Sequence, residues 1–279
     1  MQPYTEEFYN WQQAESKSSA REIVPFVCEL IRPGSVIDVG CGVGTWLSVF
    51  EERGVENFLG VDGDYVDRRL LQVEAARFQA KDLKQPLHMD NRYDLVVSLE
   101  VAEHLPVECA ATFIESLTNL GPVVLFSAAV PYQGGTDHIN EQWPEYWNEL
   151  FSARGYKVID CIRKKFWHND RVGWWYAQNI FLFVEQHHLE IYPRLQREAE
   201  LSVERSALSQ VHPKNYLSKM DALKTYAGMM ETLDLNKMTL RQTGEFFKKI
   251  VIALPGKTIK AVERKIRKPK VADAKAGAG

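Results

Sequence analysis

From Ser35 onward, short apolar runs rich in β-branched residues recur along the chain, bounded by Gly, Pro or Asp: Val36-Ile37-Asp38-Val39, Phe58 to Asp62, Tyr93 to Leu99, and Val123 to Ser127. Stretches of helical spacing separate them. Strands that alternate with helices predict an α/β fold whose parallel sheet is covered on both faces. After Trp143-Pro144 a helical pattern runs to Arg154, with Gly155 as its stop. Two further strand-like runs, Tyr156 to Ile162 and Asn179 to Val184, predict a closing antiparallel hairpin. Beyond Pro193 the β signals vanish, and Leu195 to Leu208 and Tyr216 to Leu235 show helical spacing with abundant charge. The expected layout is a body over 1–190, a helical appendage over 191–255, and a basic, flexible tail over 256–279.

Composition adds little by itself. The chain has 279 residues, of which 45% are apolar and 25% charged, as in ordinary globular proteins. The formal net charge of −3 conceals a division: residues 1–190 carry 16 Lys and Arg against 28 Asp and Glu, a net of −12, and residues 191–279 carry 18 against 9, a net of +9. An acidic body repels phosphates, which argues against a nucleic-acid partner. The four cysteines, Cys28, Cys41, Cys109 and Cys161, show neither a CxxC pair nor a disulfide framework, so a reducing cytoplasm is the expected setting. No basic-then-apolar leader opens the chain, and no apolar run approaches the ~20 residues that span a bilayer.

The strongest chemical signal is Val36-Ile37-Asp38-Val39-Gly40-Cys41-Gly42-Val43-Gly44-Thr45, a strand entering three alternating glycines and then a helix. Such glycines let the backbone turn tightly and approach a ligand beside helix N-terminal amides. Dinucleotide folds use GxGxxG, whereas here an acid precedes the first glycine by two residues and the spacing is Asp-x-Gly-x-Gly-x-Gly. This resembles the first motif of the class I S-adenosylmethionine-dependent methyltransferases. The resemblance extends over about residues 34–185. It implies a Rossmann-like, mostly parallel seven-stranded sheet ending in an antiparallel hairpin, with S-adenosyl-L-methionine as cofactor. It further implies that Asp38, Gly40 and Gly42 hold the methionine end, that Asp62 holds the ribose hydroxyls, and that Asp82 faces the adenine. Cys41, Gly44, Leu83 and Glu100 complete the implied cofactor set.

On the acceptor side, Glu100-Val101-Ala102-Glu103-His104 follows the fourth strand, and Asp137-His138-Ile139-Asn140-Glu141 lies in the loop after the next. Two carboxylates and two imidazoles suit a divalent ion such as Mg²⁺, Mn²⁺ or Zn²⁺. The first half resembles the Glu-x-x-Glu-His of ubiquinone-biosynthesis O-methyltransferases. Both halves together resemble the small-RNA 3′-end 2′-O-methyltransferases, whose metal holds a terminal ribose diol. That resemblance implies Glu100, Glu103, His104 and His138 as ligands. In the metal-free alternative, His104 or His138 is a general base and Glu103 an acid at a helix N-terminus.

Aromatic residues crowd this loop: Tyr132, Trp143, Tyr146 and Trp147, then Trp167 and Trp174-Trp175-Tyr176. Trp143 and Trp174 are the candidates for an acceptor platform, and Trp147 reads as helix packing. The insert Gly134 to Pro144 resembles methyltransferases of bacterial polysaccharide and glycoconjugate assembly, which implies O-methylation of a sugar or glycan hydroxyl. Quinone, phenol or amine acceptors, an RNA 3′-terminal ribose, and a non-catalytic cofactor-binding assembly partner are the alternatives. The tail joins Phe246 to Leu254 to Lys257, Lys260, Arg264, Lys265, Arg267, Lys268 and Lys270. Apolar anchors followed by cations fit peripheral contact with an anionic inner membrane. A solvated terminus, or an assembly partner docked on the helical appendage, is the competing reading.

Overall fold

The computed structural model describes residues 6–201 and 208–231, with isolated positions between 239 and 248; side chains are described from Ala14. Seven strands form one sheet: β1 (Ser35–Val39), β2 (Asn57–Asp62), β3 (Phe78–Ala80), β4 (Leu95–Leu99), β5 (Val123–Ser127), β6 (Tyr156–Ile159) and β7 (Phe181–Glu185). Their order is β3-β2-β1-β4-β5-β7-β6. β1 to β5 run parallel, and β7 pairs antiparallel with both β5 and β6. The Rossmann-like sheet with a terminal hairpin, expected from sequence, is the fold observed.

Period-two alternation explains why both faces are covered. Leu95, Val97 and Leu99 of β4, with Val123 and Leu125 of β5, face one apolar cluster, while Val96, Val124 and Phe126 face another. The first cluster is closed by α1 (Glu6–Ile31), α2 (Thr45–Glu52), α5 (Ile162–Phe166), α6 (Trp174–Asn179) and α7 (Pro193–Leu201); the second by α3 (Ala110–Leu120) and α4 (Pro144–Ser152). In α1, Ala20, Ile23, Val24, Val27, Leu30 and Ile31 are buried, the stripe of a helix packed on one side.

Element ends differ from the sequence reading in three places. The strand expected to reach Ile162 stops at Ile159, because Ile162 opens α5; Asn179 closes α6 instead of opening β7; and β4 begins at Leu95 rather than Tyr93.

The compact unit also extends past residue 190, running to Ser218, with Lys219–Gly279 as a second unit. The reason is burial. Leu195 and Ala199 of α7 join one core cluster and Leu208 the other. Arg163, 1% exposed, donates through Nη1 to the Leu208 carbonyl at 2.6 Å, pairs with Asp160, and lies 4.2 Å from the Phe181 ring centroid. A further helix, α8 (Pro213–Glu231), begins in the first unit. Residues 249–279, with the basic tail and most of its apolar anchors, lie outside the described residues. Among the described residues no helix is long and apolar enough to cross a membrane.

Candidate active site

The glycine loop leaves β1 and enters α2 at Thr45, with Gly40, Gly42 and Gly44 all at positive φ. At Gly40 (φ 86°) an added Cβ would sit 2.3 Å from a Val101 methyl, so glycine is required by contact as well as by conformation. Asp62, at the end of β2, pins the loop: its Oδ2 accepts from the Gly42 N–H at 2.7 Å, and its Oδ1 from the Gly63 N–H at 2.6 Å and from the Tyr65 hydroxyl. Asp38 is buried beneath the loop. Desolvation, then the Asp62 charge, push its carboxyl well above the ordinary carboxylate range.

Two cavities meet here. The larger, about 970 Å³, is lined by Gly40, Asp62, Asp82, Leu83, Glu100 and His104 among others, so the implied cofactor residues from four strand ends converge on one cleft. The smaller, about 450 Å³, lies toward α1 and is lined by Asp38, Cys41, Glu100, Ser16, Trp46 and Tyr176 among others. Ser16, Trp46 and Tyr176 carried no motif in the sequence. They meet through a Trp46–Tyr176 edge contact at 5.2 Å and a Ser16 Oγ to Tyr176 hydroxyl distance of 3.3 Å.

Beyond β4 the chain turns sharply. Glu100 adopts a left-handed backbone (φ 56°), and Ala102–His104 form a 3₁₀ turn. The Glu103 carbonyl accepts from the N–H groups of Ile139 (2.9 Å) and Asn140 (3.0 Å), which clamps the His138 loop against this turn. Potential ligand atoms of Glu103, His104 and His138 consequently lie within 4.8 Å of one another. Glu100 stands outside that group, contrary to its expected place among four metal ligands: its carboxylate is taken by Gln133 Nε2 (3.0 Å) and Asn179 Nδ2 (3.1 Å).

Glu103 is 0% exposed, and neither carboxyl oxygen makes a hydrogen bond of good geometry among the described residues; the backbone N–H groups of Glu103 and Ala129 lie close enough only to oppose part of the burial effect. Burial, and then the neighbouring Glu100 charge, raise its pKa well above the usual carboxylate range. His104 moves the other way, lowered by desolvation and by His138. The ring of His138 is fixed through Nδ1 by Glu141 Oε1 at 3.0 Å, and Glu141 also accepts from the Tyr132 and Gly134 N–H groups. Gly135 (φ 158°) makes room for that ring: an added Cβ would lie 2.1 Å from His138 Nε2.

Of the aromatic residues, Trp147 is buried against Phe126 and Tyr146, as its helical position suggested. Trp143 (41% exposed) and Tyr132 (86% exposed) flank the His138 loop. Trp174 packs against Trp175.

In sequence, residues 11–161 match the methyltransferase domain family, more than half of the chain. The chain belongs to the methyltransferase domain family. Family and loop together make this methyltransferase an enzyme that uses S-adenosyl-L-methionine, and the convergence of Asp38, Gly40, Gly42 and Asp62 on one cleft fits that donor. No curated protein matches its sequence. Among solved structures it is similar to the sugar N-methyltransferase KedS8 from Streptoalloteichus sp ATCC 53650 (TM-score 0.51, 14% identity, 64% of this chain and 91% of that one). Streptomyces venezuelae DesVI (TM-score 0.49, 14% identity, 63% and 94%) and the methyltransferase domain of bacterial CtHen1-CN (TM-score 0.43, 22% identity, 61% and 99%) also match. At such identities the likeness is one of fold.

Proposed function

We propose that this methyltransferase transfers a methyl group to a hydroxyl of a sugar or glycan, with a divalent cation such as Mg²⁺ or Mn²⁺ held by Glu103, His104 and His138. The observation that carries the reading is the Glu103 carboxyl, buried, unpartnered among the described residues, and adjacent to two imidazoles. A buried polar group left unsatisfied costs about 1–3 kcal/mol, more if charged, and a bound cation removes that cost. When bound, such an ion acidifies a coordinated hydroxyl and orients a diol. The other requirements fall to side chains already in place. Glu141 orients His138, and the lowered pKa of His104 keeps its imidazole neutral near pH 7, able to ligate or to accept a proton. Exposed Tyr132 and Trp143 offer faces suited to a sugar ring, and the acidic body disfavours a polyphosphate acceptor.

Calorimetry with S-adenosylhomocysteine, followed by turnover on nucleotide sugars and glycans with Mn²⁺, Mg²⁺ or chelator, tests the reading. Turnover abolished by chelator and restored by metal is the expected result. Turnover indifferent to chelator would leave His104 as a metal-free base, and turnover confined to phenols or amines would overturn the sugar acceptor. A cytoplasmic setting, membrane contact through the tail and an assembly partner on the appendage are proposals of the same kind. Equal pelleting with anionic liposomes of the full chain and of a chain ending at Leu254 would refute the membrane contact.

A further inference from the structure

Three buried carboxamides lie behind Glu100, and their orientation is dictated from outside the family match. The backbone N–H of His212 can only donate, and it donates to Gln178 Oε1 at 2.9 Å; Asn215 Nδ2 approaches the same oxygen at 3.3 Å. Gln178 must therefore turn its Nε2 the other way, where it donates to Gln133 Oε1 (3.0 Å) and Asn179 Oδ1 (2.9 Å). Gln133 Oε1 also accepts from the Val130 N–H (3.4 Å) and from Asn179 Nδ2 (2.9 Å), so its orientation is fixed from two sides. With their oxygens occupied, both amides turn NH₂ groups to Glu100, Gln133 to Oε2 at 3.0 Å and Asn179 to Oε1 at 3.1 Å. Gln178 is 0% exposed, Asn179 2% and Gln133 6%, so water does not compete for these bonds. Glu100 itself is fixed by its N–H, which donates to the carbonyl and hydroxyl oxygens of Ser127, and it lines both cavities of the cleft.

We infer that Gln178 is a positioning residue for donor binding: its polarity, set by the His212 N–H, makes Asn179 and, together with the Val130 N–H, Gln133 donors to Glu100 and so holds the Glu100 carboxyl facing the methionine end of S-adenosylmethionine. The inference rests on that donor assignment and is independent of the cation site. Gln178, Asn179 and His212 all lie beyond residue 161, where the family match ends.

The test reverses the relay without changing its shape. In Gln178→Glu, one carboxylate oxygen still accepts from His212, but the other can only accept: Asn179 must turn its NH₂ to it and its oxygen to Glu100, while Gln133, whose oxygen the Val130 N–H also holds, is left with that oxygen against a carboxylate. Two probes separate the effect. S-adenosylhomocysteine carries the amino-acid end, and 5′-methylthioadenosine shares the nucleoside and thioether without it. The expected result is that the Kd for S-adenosylhomocysteine rises about tenfold or more, the scale of a lost hydrogen bond to a charged group, while that for methylthioadenosine stays within about twofold. Gln178→Met, which breaks the relay without reversing it, gives a smaller loss with the same selectivity and serves if the first variant does not fold. Equal weakening of both probes, or unchanged S-adenosylhomocysteine affinity, overturns the inference. Failure of the wild-type protein to bind S-adenosylhomocysteine would instead overturn the donor assignment itself.

Discussion

Replacing Glu103 by Met should stabilise the metal-free protein while removing its capacity to be stabilised by metal. In chelator, wild-type Glu103 is a buried carboxyl with both oxygens unpartnered among the described residues, close to the charge of Glu100. Methionine fills similar volume without polar atoms. The gain is therefore about 1–3 kcal/mol for the unsatisfied group, or roughly 2–12 °C in Tm for a unit of this size. Its pH dependence has a definite sign. A carboxyl whose folded pKa is raised lends most stability below its unfolded pKa and loses it as pH rises toward the folded value, at about 1.4 kcal/mol per pKa unit. The advantage of the variant should accordingly be larger at pH 8 than at pH 5. Thermal unfolding in chelator, repeated with Mn²⁺, checks both halves. Mn²⁺ should raise the wild-type Tm, by an amount corresponding to about 2.7 kcal/mol at a hundredfold excess over Kd, and leave the variant unmoved. A variant less stable than wild type in chelator at pH 8 would refute the claim that Glu103 is an uncompensated group.

Three other substitutions separate the parts of the site. Gly135→Ala places a Cβ 2.1 Å from His138 Nε2; metal affinity and turnover should fall at least about 10–100-fold, the cost of losing a group that merely orients a metal ligand, with S-adenosylhomocysteine binding unchanged by calorimetry. Asp62→Asn leaves one oxygen where the carboxylate now accepts from Gly42, Gly63 and Tyr65, and S-adenosylhomocysteine affinity should drop roughly 10–100-fold with the metal-induced Tm shift retained. Arg163→Met removes the buried ion pair with Asp160 and the bond to the Leu208 carbonyl, and chemical denaturation should show a loss of about 3–5 kcal/mol; an unchanged midpoint would mean that residues 208–215 are held by other contacts.

The parts of this fold legible in the sequence are those where backbone geometry restricts residue type. The glycines at 40, 42 and 44, just past the end of β1, are all left-handed, and at 40 and 44 an added Cβ would also clash, so the loop announces itself, and Asp62 follows from the end of the next strand. Glu103, His104 and His138 were legible as chemistry, and the structure brings them together because the Glu103 carbonyl clamps the His138 loop. Glu100 was legible as a member of the motif but not as to its partners. What removes it from the cation cluster is a pair of amides at 133 and 179, and glutamine and asparagine have no spacing signature that reports a contact 79 residues away. That the compact unit continues past residue 190 was not legible, because α7 buries only Leu195 and Ala199 among its nine residues, so its charged surface outweighs a two-residue core contribution in the sequence pattern.

Glu100 and Glu103 stand three residues apart on the same turn, yet their surroundings assign them opposite tasks. Paired titratable groups whose environments diverge usually mark divided roles. Glu100 is given NH₂ donors on both oxygens, so its charge is compensated within the protein and it can face a cationic ligand without needing to be neutralised by it. Glu103 has no side-chain amide donor, only the backbone N–H groups of Glu103 and Ala129 nearby, and it sits beside two imidazoles that, when neutral, offer lone pairs rather than positive charge. A divalent ion is the species that satisfies all three groups at once. On the proposed reading Glu100 would face the donor, and Glu103, His104 and His138 would hold the cation that acidifies the acceptor hydroxyl. Exchanging the environments, by Gln178→Glu for the first carboxylate and Gly135→Ala for the imidazole beside the second, should impair donor binding and metal binding separately. Loss of both functions from either substitution alone would show the two carboxylates to be one site.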